Sequence, residues 1–200
     1  MTKIKFCGLT RLSDIEAANK LKPEYIGFVF WPRSKRLVTR EEAAELKAGL
    51  DPAIKAVGVF VDEDIEVVKS LLDDGIIDIA QLHGNEGEDY IKELKNKSGK
   101  QVIKAFKIRS EEDLKLAEES SADMVLLDSG MGTGKTFDWD LIGSVSRPYF
   151  LAGGLGVDNA EEAVRKLHPY ALDVSSGIET DGVKDEVKMA AFANAVRKEQ

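Results

Sequence analysis

Ile4-Lys5-Phe6-Cys7-Gly8, followed by Thr10-Arg11 and then Ser13–Leu21, is one complete unit of this chain: an apolar run, a polar mouth and an amphipathic stretch. The unit recurs about eight times. Taking the first run as Lys3–Gly8, the others are Tyr25–Phe30, Lys55–Val61, Asp78–His83, Gln101–Ile108, Met124–Ser129, Tyr149–Gly153 and Leu172–Gly177. Their starts lie roughly 20 to 30 residues apart, the length of one strand plus one covering helix. Strict alternation of strand and helix signals means parallel strands joined by crossovers. Eight such units favour closure, so the expected fold class is α/β, an eight-stranded parallel (β/α)8 TIM barrel. In that architecture chemistry sits at the C-terminal ends of the strands. The residues there are Cys7, Arg36, His83, Asp128, Gly153–Gly154 and Ser175–Gly177.

The expected elements follow from local signals. Ser13 with Glu16 reads as a capping box for the first helix, and Thr39 caps Arg40–Ala48, which Gly49 ends. Helices are expected over Asp64–Leu72, Glu88–Leu94, Glu112–Glu118 (capped by Ser110), Asp158–Lys166 and Asp185–Arg197. A short one is expected near Trp139. The fourth strand is expected over Ile76–Leu82 and the eighth over Leu172–Val174. No linker or low-complexity stretch interrupts residues 1–200, so the expectation is one barrel domain.

Composition narrows the function. With 43% hydrophobic and 32% charged residues the chain reads as soluble and globular, and no apolar run approaches the roughly 18 residues of a membrane span. Met1–Lys5 shows no export pattern. A single cysteine forms no internal disulfide, which fits the cytoplasm. The net charge of −8 argues against nucleic acid. An anionic ligand would need local devices: an arginine, backbone amides, helix N-termini. A monomer and a homodimer are equally compatible with the sequence.

Cys7 reads either as a small buried hydrophobe or, at a strand mouth, as a thiol of usable basicity. Asp128 ends the apolar run Met124–Leu127, where a carboxylate needs partners or a tuned pKa; it reads as a loop-ordering acceptor or as a general acid or base. Gly153-Gly154 and Ser175-Ser176-Gly177 follow the seventh and eighth strands, the recurring phosphate site of such barrels. Arg36 suits a carboxylate, which its fork grips bidentately. His83, with Gln81 before it, is a candidate substrate contact or a structural pair. His168, before Pro169, falls on the opposite, stability face. Ser129–Thr136 resembles a P-loop, but Ser129 replaces its first glycine and no long helix follows, so a lid fits better. No His/Cys/carboxylate cluster has metal-ligand spacing, so no metal is expected.

Several of these segments together resemble the phosphoribosylanthranilate isomerase family. They are Lys5-Phe6-Cys7-Gly8-Leu9-Thr10, Gly27–Phe30 with Ser34-Lys35-Arg36, Val57–Phe60, Gln81-Leu82-His83-Gly84, Leu127-Asp128-Ser129 with Gly132-Thr133-Gly134, Leu151–Leu155 and Asp173–Glu179. Phe6 departs slightly, standing where the family often has a smaller aliphatic residue. The resemblance implies a cofactor-free Amadori rearrangement in tryptophan biosynthesis, acting on the phosphosugar N-(5-phosphoribosyl)anthranilate. It implies Asp128 as general acid, Cys7 as general base and Arg36 as holder of the anthranilate carboxylate. The amides around Gly153, Gly154, Ser176 and Gly177 would hold the phosphate. The rivals are a nucleotide binder, a non-catalytic phosphosugar-binding barrel, a sugar-phosphate epimerase, and the sister isomerase of histidine biosynthesis, which uses two aspartates.

Overall fold

In the computed structural model, which describes residues 1–128, 142 and 145–198, each apolar run supplies one stave of a closed barrel. The staves are β1 (Lys3–Cys7), β2 (Tyr25–Val29), β3 (Lys55–Phe60), β4 (Ile79–Leu82), β5 (Val102–Lys107), β6 (Met124–Asp128), β7 (Tyr149–Ala152) and β8 (Ala171–Val174). They pair in sequence order, and β8 closes parallel onto β1 from Lys3↔Ala171 to Phe6↔Val174. Helices α1 (Leu12–Leu21), α2 (Arg40–Ala48), α3 (Ile65–Asp73), α4 (Glu88–Ser98), α5 (Glu111–Glu119) and α6 (Val157–Leu167) connect staves, and α7 (Glu186–Lys198) follows the last one. The expected short helix near Trp139 and the loop Ser129–Thr136 lie outside the described residues.

The strands are apolar almost throughout because both of their faces are covered. Outward residues such as Ile4, Phe6, Ile26, Leu127 and Leu172 pack under the helices. Inward residues, among them Val57, Ile79, Ile103, Leu126 and Phe150, form a separate cluster that fills the barrel itself. Phe6 is fully buried and meets Phe192 of α7 edge-on, with ring centroids 6.5 Å apart.

Two local readings need correction, and one element was not expected. Helix α1 is capped at Arg11, with Asp14 rather than Glu16 reaching back: Asp14 Oδ2 accepts from the N–H groups of Thr10 (3.0 Å) and Arg11 (3.1 Å). A buried carboxylate that satisfies two orphan donors outcompetes a serine hydroxyl. Strand β4 begins at Ile79, because Ile76 and Ile77 belong to the turn leaving α3, their N–H groups both donating to Leu71 O. Finally, a two-stranded hairpin, β9 (Glu179–Thr180) and β10 (Val183–Lys184), follows β8. It turns through Asp181 and Gly182, both at positive φ.

Candidate active site

A period of two puts Lys5 and Cys7 on one face of β1, Gln81 and His83 on one face of β4, and Asp173 and Ser175 on one face of the β8 segment. These side chains meet inside the barrel's C-terminal end. There a cavity of about 710 Å³ is lined by Cys7, Arg36, Gln81, His83, Asp128, Gly153, Gly154, Ser175 and Ser176. Gly177 instead lines an adjoining hollow between the β7 loop and α7. His168 lies at the other end, as the left-handed C-cap of α6.

Two glycines make room for the candidate reactive groups. A Cβ at Gly27 would stand 2.8 Å from Cys7 Sγ, and one at Gly8, whose φ is 78°, would stand 2.3 Å from Arg36 Cδ. Arg36 thus crosses β1 where no side chain obstructs it. Its Nε and Nη2 donate to Glu179 Oε1 (2.6 Å) and Oε2 (2.8 Å). Glu179 also accepts from Lys184 Nζ at 2.6 Å, and Lys184 reaches Ser175 O at 2.8 Å. Burial alone would raise the Glu179 carboxyl, but the two cations outweigh it and hold it at about 2.

The candidate anion site is built from backbone. Gly153 and Gly154 adopt φ of 90° and 63° just before the N-terminus of α6. Gly156 forms a β-bridge with Gly177, where a Cβ would lie 2.0 Å from Leu155 O. The β7 and β8 loops are therefore held in direct backbone contact. The Ser175 hydroxyl donates to Cys7 O at 3.0 Å, so it braces β1.

Beneath the cavity lies a polar layer. Lys5, fully buried, donates from Nζ to Asp173 Oδ2 (2.7 Å) and Gln81 Oε1 (2.8 Å). Gln81 Nε2 meets His83 Nδ1, and His83 Nε2 meets Asp128 Oδ2, each at 3.3 Å. Desolvation opposes the charge on Lys5, but Asp173 and Cys7 prevail and its pKa is raised. Burial also pushes the Cys7 thiol up, against the opposing pull of Lys5 and Lys184. Cys7, Arg36, His83 and Asp128 share the cavity as sequence reasoning grouped them. Lys5, Asp173, Glu179 and Lys184 were missed. The available signal was a charge inside an apolar strand, in Ile4-Lys5-Phe6 and Leu172-Asp173-Val174.

This arrangement offers a thiol, a carboxylate, an arginine fork and the loop residues Gly153, Gly154, Ser175 and Ser176 around one chamber. The sequence profile of N-(5'-phosphoribosyl)anthranilate (PRA) isomerase matches residues 4–195. The chain belongs to the phosphoribosylanthranilate isomerase family. The N-(5'-phosphoribosyl)anthranilate isomerase of Thermoanaerobacter sp. (strain X514) is 45% identical, covering 98% of each chain. The crystal structure of phosphoribosyl anthranilate isomerase from Thermotoga maritima superposes with a TM-score of 0.90 at 33% identity, covering 99% of this chain and 100% of that one. A phosphoribosyl anthranilate isomerase crystallised with reduced 1-(o-carboxyphenylamino)-1-deoxyribulose 5-phosphate superposes at 0.88, also at 33% identity and with the same coverage. Membership of the phosphoribosylanthranilate isomerase family therefore extends over the whole barrel and is not confined to its mouth.

Proposed function

We propose that this chain is a cytoplasmic, single-domain enzyme of tryptophan biosynthesis that isomerises N-(5-phosphoribosyl)anthranilate by an Amadori rearrangement, with Asp128 as acid and Cys7 as base. The substrate carries a carboxylate at one end and a phosphate at the other. Arg36 takes the first; the amides around Gly153, Gly154, Ser176 and Gly177 take the second. Holding both ends fixes the ribose between Cys7 and Asp128, which removes much of the entropic cost of the reaction.

Asp128 gives its proton to the ribose ring oxygen as the C1–O bond breaks, and the anthranilate nitrogen lone pair forms a C1=N iminium. Cys7 thiolate takes the C2 proton, and the C–H electrons form a C1=C2 bond while the nitrogen regains its pair. The resulting enolamine tautomerises to the C2 ketone, so atoms and charge balance without a cofactor. Burial raises the Cys7 pKa in the free protein, so the reactive form is the fraction in which Asp128 holds the proton and Cys7 is already the thiolate. The two transfers leave Cys7 protonated and Asp128 ionised. The iminium, one bond from C2, acidifies the C2 proton, so a thiolate of moderate basicity can take it.

The observation that carries this reading is the cavity shared by Cys7, Asp128, Arg36, Gly153-Gly154 and Ser175-Ser176. The test is turnover of freshly generated phosphoribosylanthranilate by the wild-type protein. Conversion to the open-chain ketose supports the assignment. Phosphate binding without conversion would leave a phosphosugar-binding barrel.

A further inference from the structure

The four contacts from Asp173 to Asp128 leave only one consistent pattern of donors and acceptors. A lysine ammonium only donates. Lys5 Nζ, held by Asp173 Oδ2 at 2.7 Å, therefore requires the oxygen of the Gln81 amide at its 2.8 Å contact. That orientation points Gln81 Nε2, a donor, at His83 Nδ1. His83 must then accept through Nδ1 and carry its proton on Nε2, which faces Asp128 Oδ2. The buried ammonium thus fixes an amide orientation, the amide fixes a tautomer, and the tautomer aims an N–H at Asp128.

We propose that Lys5 and Gln81 are positioning residues: through His83 they set the donor that orients the Asp128 carboxyl. Lys5 also precedes Cys7 by two residues on the same inward face of β1. One buried cation therefore braces the strand of the base and, by the relay, the side chain of the acid. Lys5 is fully buried beneath the cavity, and Gln81, 1% exposed, forms part of its floor. Gln81 has both ends of its amide engaged within the protein, which makes it a brace for the site more than a substrate ligand. The relay orients groups and does not conduct protons, since an amide that passed a proton would have to become its imidic acid.

This inference rests on Asp128 as the acid, yet it has a readout independent of turnover. The chain holds two histidines, so long-range proton–nitrogen NMR of the 15N-labelled full-length protein resolves each ring. His83 is expected to show a bare Nδ1 and a protonated Nε2; a protonated Nδ1 in the wild type would overturn the relay. Gln81→Glu replaces the donor facing Nδ1 with an acceptor and is expected to place a proton on Nδ1. Turnover should then fall by up to about 10²-fold at nearly constant KM, the scale of loss for a misaligned catalytic group. Lys5→Met is expected to release the amide and give a mixture of tautomers; should that variant fail to fold, Gln81→Glu decides alone. A switched tautomer with unchanged kcat would remove the positioning role. Full activity in Asp128→Asn would instead remove the acid assignment and leave the tautomer standing.

Discussion

Arg36 and Glu179 face each other fork to fork, Nε on Oε1 at 2.6 Å and Nη2 on Oε2 at 2.8 Å, although 143 residues separate them in sequence. A guanidinium has five N–H donors in a plane. Glu179 takes two of them along one edge, so the Nη1–Nη2 edge is the one that a substrate carboxylate would meet. The β9–β10 hairpin, inserted between β8 and α7, supplies both Glu179 and the Lys184 that braces it.

Glu179→Gln is therefore expected to raise KM for the substrate, and the inhibition constant of free anthranilate, by about tenfold. That is the scale of losing one charge-assisted hydrogen bond. Inorganic phosphate should bind as before. Parallel weakening of phosphate would point to a general collapse of the mouth.

The same carboxyl gives a pH signature. Its folded value of about 2 lies below the ordinary 4.5, so its contribution is complete above pH 4.5 and fades as pH falls towards 2. The contribution is at most about 3 kcal/mol. Denaturant titrations of wild type and Glu179→Gln across that window should converge at the acid end. A constant gap would contradict the pairing.

Cys7 should behave as a reluctant thiolate in the free protein, since burial raises its pKa. Its alkylation rate is expected to climb with pH and to inflect above the ordinary thiol value of about 8.5. Lys5→Met, which removes a neighbouring cation, should move that inflection higher still. An inflection near neutrality would contradict this.

The buried pair of Lys5 and Asp173 yields a stability test. Removing one partner, as in Lys5→Met, should cost about 3–5 kcal/mol, because it strands a buried charge. Lys5→Met combined with Asp173→Leu should recover most of that loss in urea unfolding. Additive losses would mean that the two residues act separately.

The barrel was legible in the sequence because each stave is buried on both faces and helices such as α2 carry their own start and stop, Thr39 and Gly49. Cys7, Asp128, Arg36 and the paired glycines were legible because polar residues at the ends of apolar runs stand out. The partners were not. Glu179 sits in a hairpin of two-residue strands with too little periodicity to register, and nothing local ties it to Arg36. Ile76-Ile77 looked like strand because a buried turn and a buried strand share a composition. Gly8 and Gly27 are set by what passes over them, Arg36 and Cys7, and only the closed barrel brings those neighbours together.

The most direct measurement is steady-state turnover of freshly generated phosphoribosylanthranilate by wild type, Cys7→Ser and Asp128→Asn, with affinity for the reduced product analogue measured alongside. The expected result is rapid conversion by wild type and a loss of roughly 10²–10⁴-fold in each variant, with the analogue bound about as tightly by all three. Near-normal turnover in either variant would contradict the assignment of Cys7 and Asp128 as the base and the acid.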